Sequence, residues 1–323
     1  MFAGAPEPFV DLSTGINPIA YPLPSFSPDV FARLPEPGAL EQLCGAAAQA
    51  YAAPSGSHVV AAPGAQMLLP LAAALVPSGR AAVLGPTYAE HARAAALVGH
   101  KVVETSDIAR LADADLAIVV NPNNPDGRVV AVDTLCALAR ALASRGGLLV
   151  VDEAFMDVGP PGASLVGRVG EGLIVLRSFG KFFGLAGLRL GFAISAPEQA
   201  ARLRAQLGPW PVAGPAITIG SRALADTAWI DMTRHAVTRA AQRLDDMLIK
   251  AGLEMVGGTP LYRLVRTNRA GFLFEHLGRA GIIVRRFADA PTWLRFGLPG
   301  PEQAWERLKA ALASLSGCVS LNA

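Results

Sequence analysis

Ser178-Phe179-Gly180-Lys181, followed by Gly187-Leu188-Arg189-Leu190-Gly191-Phe192, sets one lysine between a hydroxyl and an arginine. The stretch comes directly after an apolar run, residues 172–176, that reads as a buried strand. Beside apolar sequence a lysine is costly unless it is paired, neutral or covalently engaged. A hydroxyl and a guanidinium at this spacing can grip a phosphate. The pattern fits a lysine that forms a Schiff base with a phosphorylated aldehyde. Ser-x-x-Lys alone also fits a serine acyl-transfer nucleophile, but the Ser-Asp-Asn and Lys-Thr-Gly partners of such enzymes are missing from the sequence.

Two further polar groups close apolar runs. Val120-Asn121-Pro122-Asn123-Asn124-Pro125-Asp126-Gly127 opens a turn, and Asn and Pro are ordinary turn formers. Val150-Val151-Asp152-Glu153-Ala154-Phe155 puts an acid at a strand end, where it can cap a helix, hold a metal or neutralise a cation. Asn, Asp and Lys on three successive strand ends make a far more specific set than any one of them.

The elements that must carry these groups are legible as an alternation. Strands are predicted at residues 58–61, 81–84, 101–103, 116–121, 148–151, 173–176 and 190–194. Helices are predicted at 65–76, 89–98, 132–145 and 198–206. Continuous apolar strands alternating with helices predict an α/β fold with a mostly parallel central sheet covered by helices, and chemistry at the carboxyl ends of the strands. After Gly208-Pro209-Trp210-Pro211 the pattern changes to one long helix, 216–252. Strands at 261–265, 282–286 and 293–296 follow, with a helix before the second and a last helix at 302–315. This predicts an N-terminal arm (1–30), a large α/β domain (31–215) and a smaller α+β C-terminal domain (216–323).

Bulk properties narrow the function. The 323 residues are 52% hydrophobic and 17% charged, with net charge +2, which fits a large core and no nucleic-acid footprint. Cys44, Cys136 and Cys318 are far apart and odd in number, as expected of inert thiols in a reducing cytoplasm. His58, His91, His100, His235 and His276 lack metal-ligand spacing, so packing or surface roles and no metal are expected. No basic start followed by an apolar run marks a signal peptide. The longest apolar stretch, residues 67–76, holds Pro70 and falls short of the ~20 residues of a membrane span.

Together, NPNNPDG, VDEAF and SFGK…GLRLGF resemble the asparagine, aspartate and lysine motifs of fold-type I pyridoxal-phosphate enzymes of the aspartate aminotransferase superfamily. The resemblance covers nearly the whole chain. It implies pyridoxal 5'-phosphate as cofactor, joined to Lys181, with Asp152 pairing with the pyridine nitrogen and Asn124 bonding the 3'-oxygen. It implies that Ser178, Arg189 and the backbone of Gly64-Ala65-Gln66 hold the phosphate, the last at a helix N-terminus. Tyr88 would lie over the ring and Ala154 beneath it. Arg295, in Trp293-Leu294-Arg295-Phe296-Gly297, matches the arginine that clamps the substrate carboxylate.

Within the superfamily the chain is similar to the histidinol-phosphate aminotransferase group. Inside that group it looks like the threonine-phosphate decarboxylases of the cobalamin pathway. Asp11-Leu12-Ser13-Thr14-Gly15-Ile16-Asn17-Pro18, Leu207-Gly208-Pro209-Trp210, and Val284-Arg285-Arg286-Phe287 with Arg295 carry this likeness. It implies that Asn17 approaches the substrate carboxylate. Leu34 and Phe155 stand where the aminotransferases usually have tyrosines, which points to the decarboxylase branch; a histidinol-phosphate-type aminotransferase is the alternative. The His-Gly-Gly stretch usual upstream in decarboxylase relatives is not in this sequence; either the start is truncated or another group, with Arg286 as the candidate, takes the substrate phosphate. The family also implies a homodimer with a small phosphorylated amino acid as partner and no membrane or nucleic-acid partner. A regulator built on this domain would need a fused DNA-binding domain, for which no room is seen before Asp11.

Overall fold

The computed structural model describes residues 2–318. In chain order its strands and α-helices begin with β1 (Val10–Leu12), α1 (Asp29–Ala32), α2 (Pro37–Tyr51), β2 (Val59–Ala62), α3 (Ala65–Ala73), β3 (Arg80–Leu84), α4 (Glu90–Leu97) and β4 (Lys101–Thr105). They continue with β5 (Leu116–Val120), α5 (Val132–Ala143), β6 (Leu148–Asp152), β7 (Leu173–Ser178), α6 (Phe179–Phe182), β8 (Gly191–Ile194), α7 (Pro197–Leu207), α8 (Gly214–Ala225) and α9 (Thr227–Lys250). The last are β9 (Glu254–Thr259), β10 (Tyr262–Arg266), α10 (Ala270–Arg279), β11 (Ile282–Arg286), β12 (Trp293–Gly297) and α11 (Glu302–Cys318).

The chain divides into two units, each with its own sheet. The larger holds Tyr21–Asn124 and Arg128–Ile230; the smaller holds the described residues up to Ala20, Pro125–Gly127 and those from Asp231 onward. In the larger, seven strands lie in the order β2-β8-β7-β6-β5-β3-β4. Neighbours from β4 to β7 are parallel, and β8 runs antiparallel to both β7 and β2. Side chains alternate faces along each strand. Leu149, Val151 and Val175 enter a core with α2, α5 and α8, whereas Leu148, Val150, Ile174 and Leu176 enter a second core with α3, α4 and α7. Both faces are therefore buried, which is why these strands read as continuous apolar runs. Each such side chain contributes roughly 1.5–3 kcal/mol, and together they hold the carboxyl ends of β5, β6 and β7 side by side.

The smaller unit has a five-stranded sheet in the order β1-β11-β12-β10-β9. β1 pairs parallel to β11, Val10 opposite Ile282, and the other pairs are antiparallel.

Four features depart from the sequence-based expectation. Residues 2–20 do not form a separate arm, because β1 is a strand of the smaller unit's sheet. The single helix expected over 216–252 is two. At Asp226 the backbone turns out of helix (φ −85°, ψ 75°); its Oδ1 accepts from Trp229 N at 3.0 Å and its Oδ2 from Tyr21 Oη at 3.1 Å. A short carboxylate that bonds local groups competes with helix continuation in this way. The boundary consequently moves from 215/216 into α9, since Ala216, Ile217, Ile219 and Ala223 of α8 belong to the larger unit's core. Helix α2 was not foreseen, although Pro37 at its first position was a usable start signal.

Candidate active site

The β2–α3 turn builds the first part of the site. Gly64 has φ +92°, a conformation side chains resist, and a Cβ there would lie 2.7 Å from Arg189 Nη2. Arg189 is itself left-handed, with φ 52°, the uncommon backbone that aims its guanidinium at this turn. Opposite, Gly191 opens β8, where a Cβ would collide with the Ala65 amide nitrogen. The first amides of a helix have no intrahelical acceptor, and the helix dipole adds positive potential. The turn, the guanidinium and the close strand thus form an anion cradle at the start of α3. Ser178, the last residue of β7, is paired with Gly191 in register and so stands at the same level.

Asp152 ends β6 and is 7% exposed. Its Oδ2 lies 2.8 Å from Nε2 of buried His91, and its Oδ1 accepts from Ala154 N at 2.9 Å. His91, on the first turn of α4, is buried, within the core reading made from the sequence, and it also meets Asp152. A histidine two residues past the Tyr88-Ala89 pair carried no periodic signal, because its partner is 61 positions away. Asn121 and Asn123 prove to be builders of the β5 loop. Asn121 Oδ1 accepts from Val130 N (2.8 Å), while Asn123 donates to Pro86 O (3.0 Å) and accepts from Thr87 Oγ1 (2.6 Å). Asn124 follows them, half-buried, in the same loop.

Lys181 sits on α6, directly after β7, with Nζ 5.8 Å from the centroid of the buried Phe155 ring. β5, β6 and β7 are adjacent and in register, Val120 with Asp152 and Asp152 with Leu176. The asparagine loop, the aspartate and the lysine therefore leave three neighbouring strand ends. Tyr88 is 40% exposed, and its hydroxyl donates to Gln66 Oε1 at 3.2 Å. Gln66 Nε2 in turn donates to Glu90 Oε2 at 3.1 Å. The sequence reading gave Gln66 only a backbone role; its side chain also ties Tyr88 to the anion cradle.

Asn17 and Arg295 lie in the smaller unit. Arg295, in the middle of β12, is buried, and its Nη2 donates to Ser13 O at 2.8 Å. Burial pulls its pKa below the ordinary arginine value, opposed by Tyr262. Asn17 is buried four residues further along, its Oδ1 accepting from Ile19 N at 2.9 Å. Arg285 of β11 stands opposite Arg295 in the antiparallel register. Arg286, expected at a substrate phosphate, instead lies over Phe274, 4.8 Å from the ring centroid.

The larger unit's set fits a phosphorylated pyridine aldehyde: a cradle that a Cβ would fill, a buried carboxylate with two donors beside it, and an amine on the next strand end. Among the described residues no group of His, Cys, Asp and Glu could hold a metal ion. None of the helices among them is long and apolar enough to cross a membrane. Burial raises the Cys44 thiol pKa, Cys136 is half-buried, and the Cys318 side chain lies outside the described residues.

Known proteins resemble this chain over its length. A family model for aminotransferase class I and II matches residues 31–312. A threonine-phosphate decarboxylase of Sinorhizobium sp is 44% identical over 318 residues, 97% of this chain and 94% of that protein. A protein of the same description from Pseudomonas aeruginosa is 42% identical over 307 residues, 94% and 91% of the two chains. The solved histidinol-phosphate aminotransferase from Sinorhizobium meliloti, in complex with pyridoxal-5'-phosphate, superposes with a TM-score of 0.82. It is 20% identical, over 96% of this chain and 91% of that one, a likeness of fold.

Proposed function

This chain belongs to the aminotransferase class I and II family, and from that premise we propose that it decarboxylates L-threonine O-3-phosphate to (R)-1-aminopropan-2-yl phosphate and carbon dioxide. The observation that carries this reading is 44% and 42% identity, along more than nine-tenths of both chains, to threonine-phosphate decarboxylases. The cofactor is pyridoxal 5'-phosphate.

When bound, the cofactor supplies an electron sink for the bond pair left behind as carbon dioxide departs. The amides of Gly64, Ala65 and Gln66, the Ser178 hydroxyl and Arg189 hold its phosphate. Asp152, steadied by His91 and the Ala154 amide, keeps negative charge against the ring nitrogen and so keeps that nitrogen protonated. Asn124 bonds the ring oxygen. Tyr88, held by Gln66, and Ala154 would enclose the ring. Lys181 Nζ would hold the cofactor's aldehyde carbon and would supply the proton that replaces the carboxylate at the substrate Cα. Arg295 and Asn17 bind the substrate carboxylate, and Arg285, sharing a sheet face with Arg295, binds the substrate phosphate. Anchoring both anionic ends would fix the orientation of the substrate's Cα bonds. Orientation of this kind can supply ~7–11 kcal/mol of barrier reduction.

Further parts of the reading have their own support. The likeness to threonine-phosphate decarboxylases supports a role in cobalamin synthesis, and three cysteines far apart in the chain support a reducing cytoplasm. A homodimer is favoured by exposed apolar side chains on the larger unit, Phe31 (69%) and Leu34 (64%), beside α8, where Val30 O lies against Gly214.

Incubation of the holoenzyme with L-threonine O-3-phosphate tests the function. Carbon dioxide should form without any added keto acid. Turnover that requires 2-oxoglutarate and yields glutamate would replace this reading with the histidinol-phosphate-type aminotransferase.

A further inference from the structure

Beneath the cofactor residues lies a buried charge cluster that the reaction does not touch. Arg177, the residue before Ser178, donates through Nη1 to Glu153 Oε2 at 3.0 Å and through Nη2 to Asp157 Oδ1 at 2.8 Å. Glu153, the residue after Asp152, also accepts from Ser164 Oγ and Leu165 N, both at 2.7 Å. The guanidinium lies 4.2 Å from the ring centroid of buried Tyr51 on α2. All three charged side chains are buried.

Strand alternation explains the placement. Val151 and Val175 face the core shared with α2, and Glu153 and Arg177 continue that face two residues later. Asp152 and Ser178 are the alternate residues and point to the opposite face. The backbone between them is tied as well: Asn121 N donates to Asp152 O and Glu153 N to Leu176 O, each at 2.8 Å.

We propose that Arg177, bridging Glu153 and Asp157, is a positioning residue for the cofactor: it fixes Asp152 and Ser178 from behind. The proposal rests on the pyridoxal-phosphate reading of the site. Apolar residues of similar volume would fill this face with no loss of stability, because desolvating a buried ion pair offsets most of its attraction. Directional, charge-assisted bonds supply what packing does not, a single orientation. The bridge locks the Ala154–Leu165 loop, which carries Phe155 beside Lys181, to the strand that ends in Ser178. Burial pulls Arg177 toward neutrality, but Asp157 and Glu153 more than reverse it; burial also raises the Glu153 carboxyl pKa, opposed by Arg177, Ser164 and Leu165.

The test uses Arg177→Met in the full chain, with three readouts: melting of the cofactor-free protein, cofactor affinity by absorbance titration, and the pH midpoint of the visible Schiff-base band. Cofactor affinity should fall ~10–100-fold, the scale seen when a partner behind a ligand is removed. The band midpoint should move; melting without cofactor should fall as well, because Glu153 and Asp157 stay buried without their guanidinium, so affinity and midpoint carry the test. Affinity and midpoint within about twofold of the parent, with or without lowered melting, would overturn the proposal. If Arg177→Met does not fold, Asp157→Asn carries the test, with an expected loss of about 2–10-fold; unchanged affinity and midpoint there overturn it equally. A parent protein that shows no Schiff-base band defeats the pyridoxal-phosphate reading instead, so the two failures are distinguishable.

Discussion

Lys181 and Asp152 leave adjacent strand ends, and each can be tested alone. Lys181→Ala should abolish the visible Schiff-base band while leaving a folded protein that still binds the cofactor phosphate; a persisting band would assign the attachment elsewhere. His91→Leu removes one of the two donors that meet the buried Asp152 carboxylate. Leaving such a group short of a partner costs about 1–3 kcal/mol, so melting should fall by that scale and cofactor affinity with it. Asn124, Asp152, Ser178, Lys181 and Arg189 were singled out through the likeness of their short motifs to a known family, since each motif is local in the chain. His91 and Gln66 were not, since their partners are 61 and 22 positions away.

At the scale of elements, the cradle depends on α3 and β8 approaching without side chains between them. Gly191→Ala places a methyl against the Ala65 amide. We expect about 1–3 kcal/mol of overpacking cost, together with weakened cofactor binding; an unchanged titration would show that the turn relaxes freely. On α11, Glu302 takes a bidentate pair of bonds from Arg243, at 2.8 and 2.5 Å. The Arg243 hydrogen bond is the main cause holding the Glu302 carboxyl below the usual glutamate range. A depressed folded-state pKa stabilises at neutral pH, and the gain is lost as pH falls through the ordinary glutamate range toward the lowered value. Glu302→Gln should therefore melt below the parent at pH 7, with the difference vanishing in acid. A difference independent of pH would refute the assignment. The strands of the larger unit were readable from their apolar runs. The break at Asp226 was not, because the aspartate's bond to Tyr21 Oη spans 205 positions.

On the scale of the whole molecule, the exposed Phe31 and Leu34 predict self-association. Sedimentation of the wild type should show a dimer, and Phe31→Glu with Leu34→Glu should shift it toward monomer; a fully active monomer would remove the dimer from the proposal. What the sequence determined by itself was the family, the cofactor and the order of the three motif-bearing strands. The strand order follows from hydrophobic period; the family and the cofactor follow from the likeness of three short motifs to known enzymes. Only the tertiary structure decided that β1 joins β11 across some 270 positions, that Arg285 rather than Arg286 shares a face with Arg295, and that a buried arginine ties Glu153 to Asp157. Pairing register and buried polar contacts depend on which distant segments meet, and local pattern does not encode that.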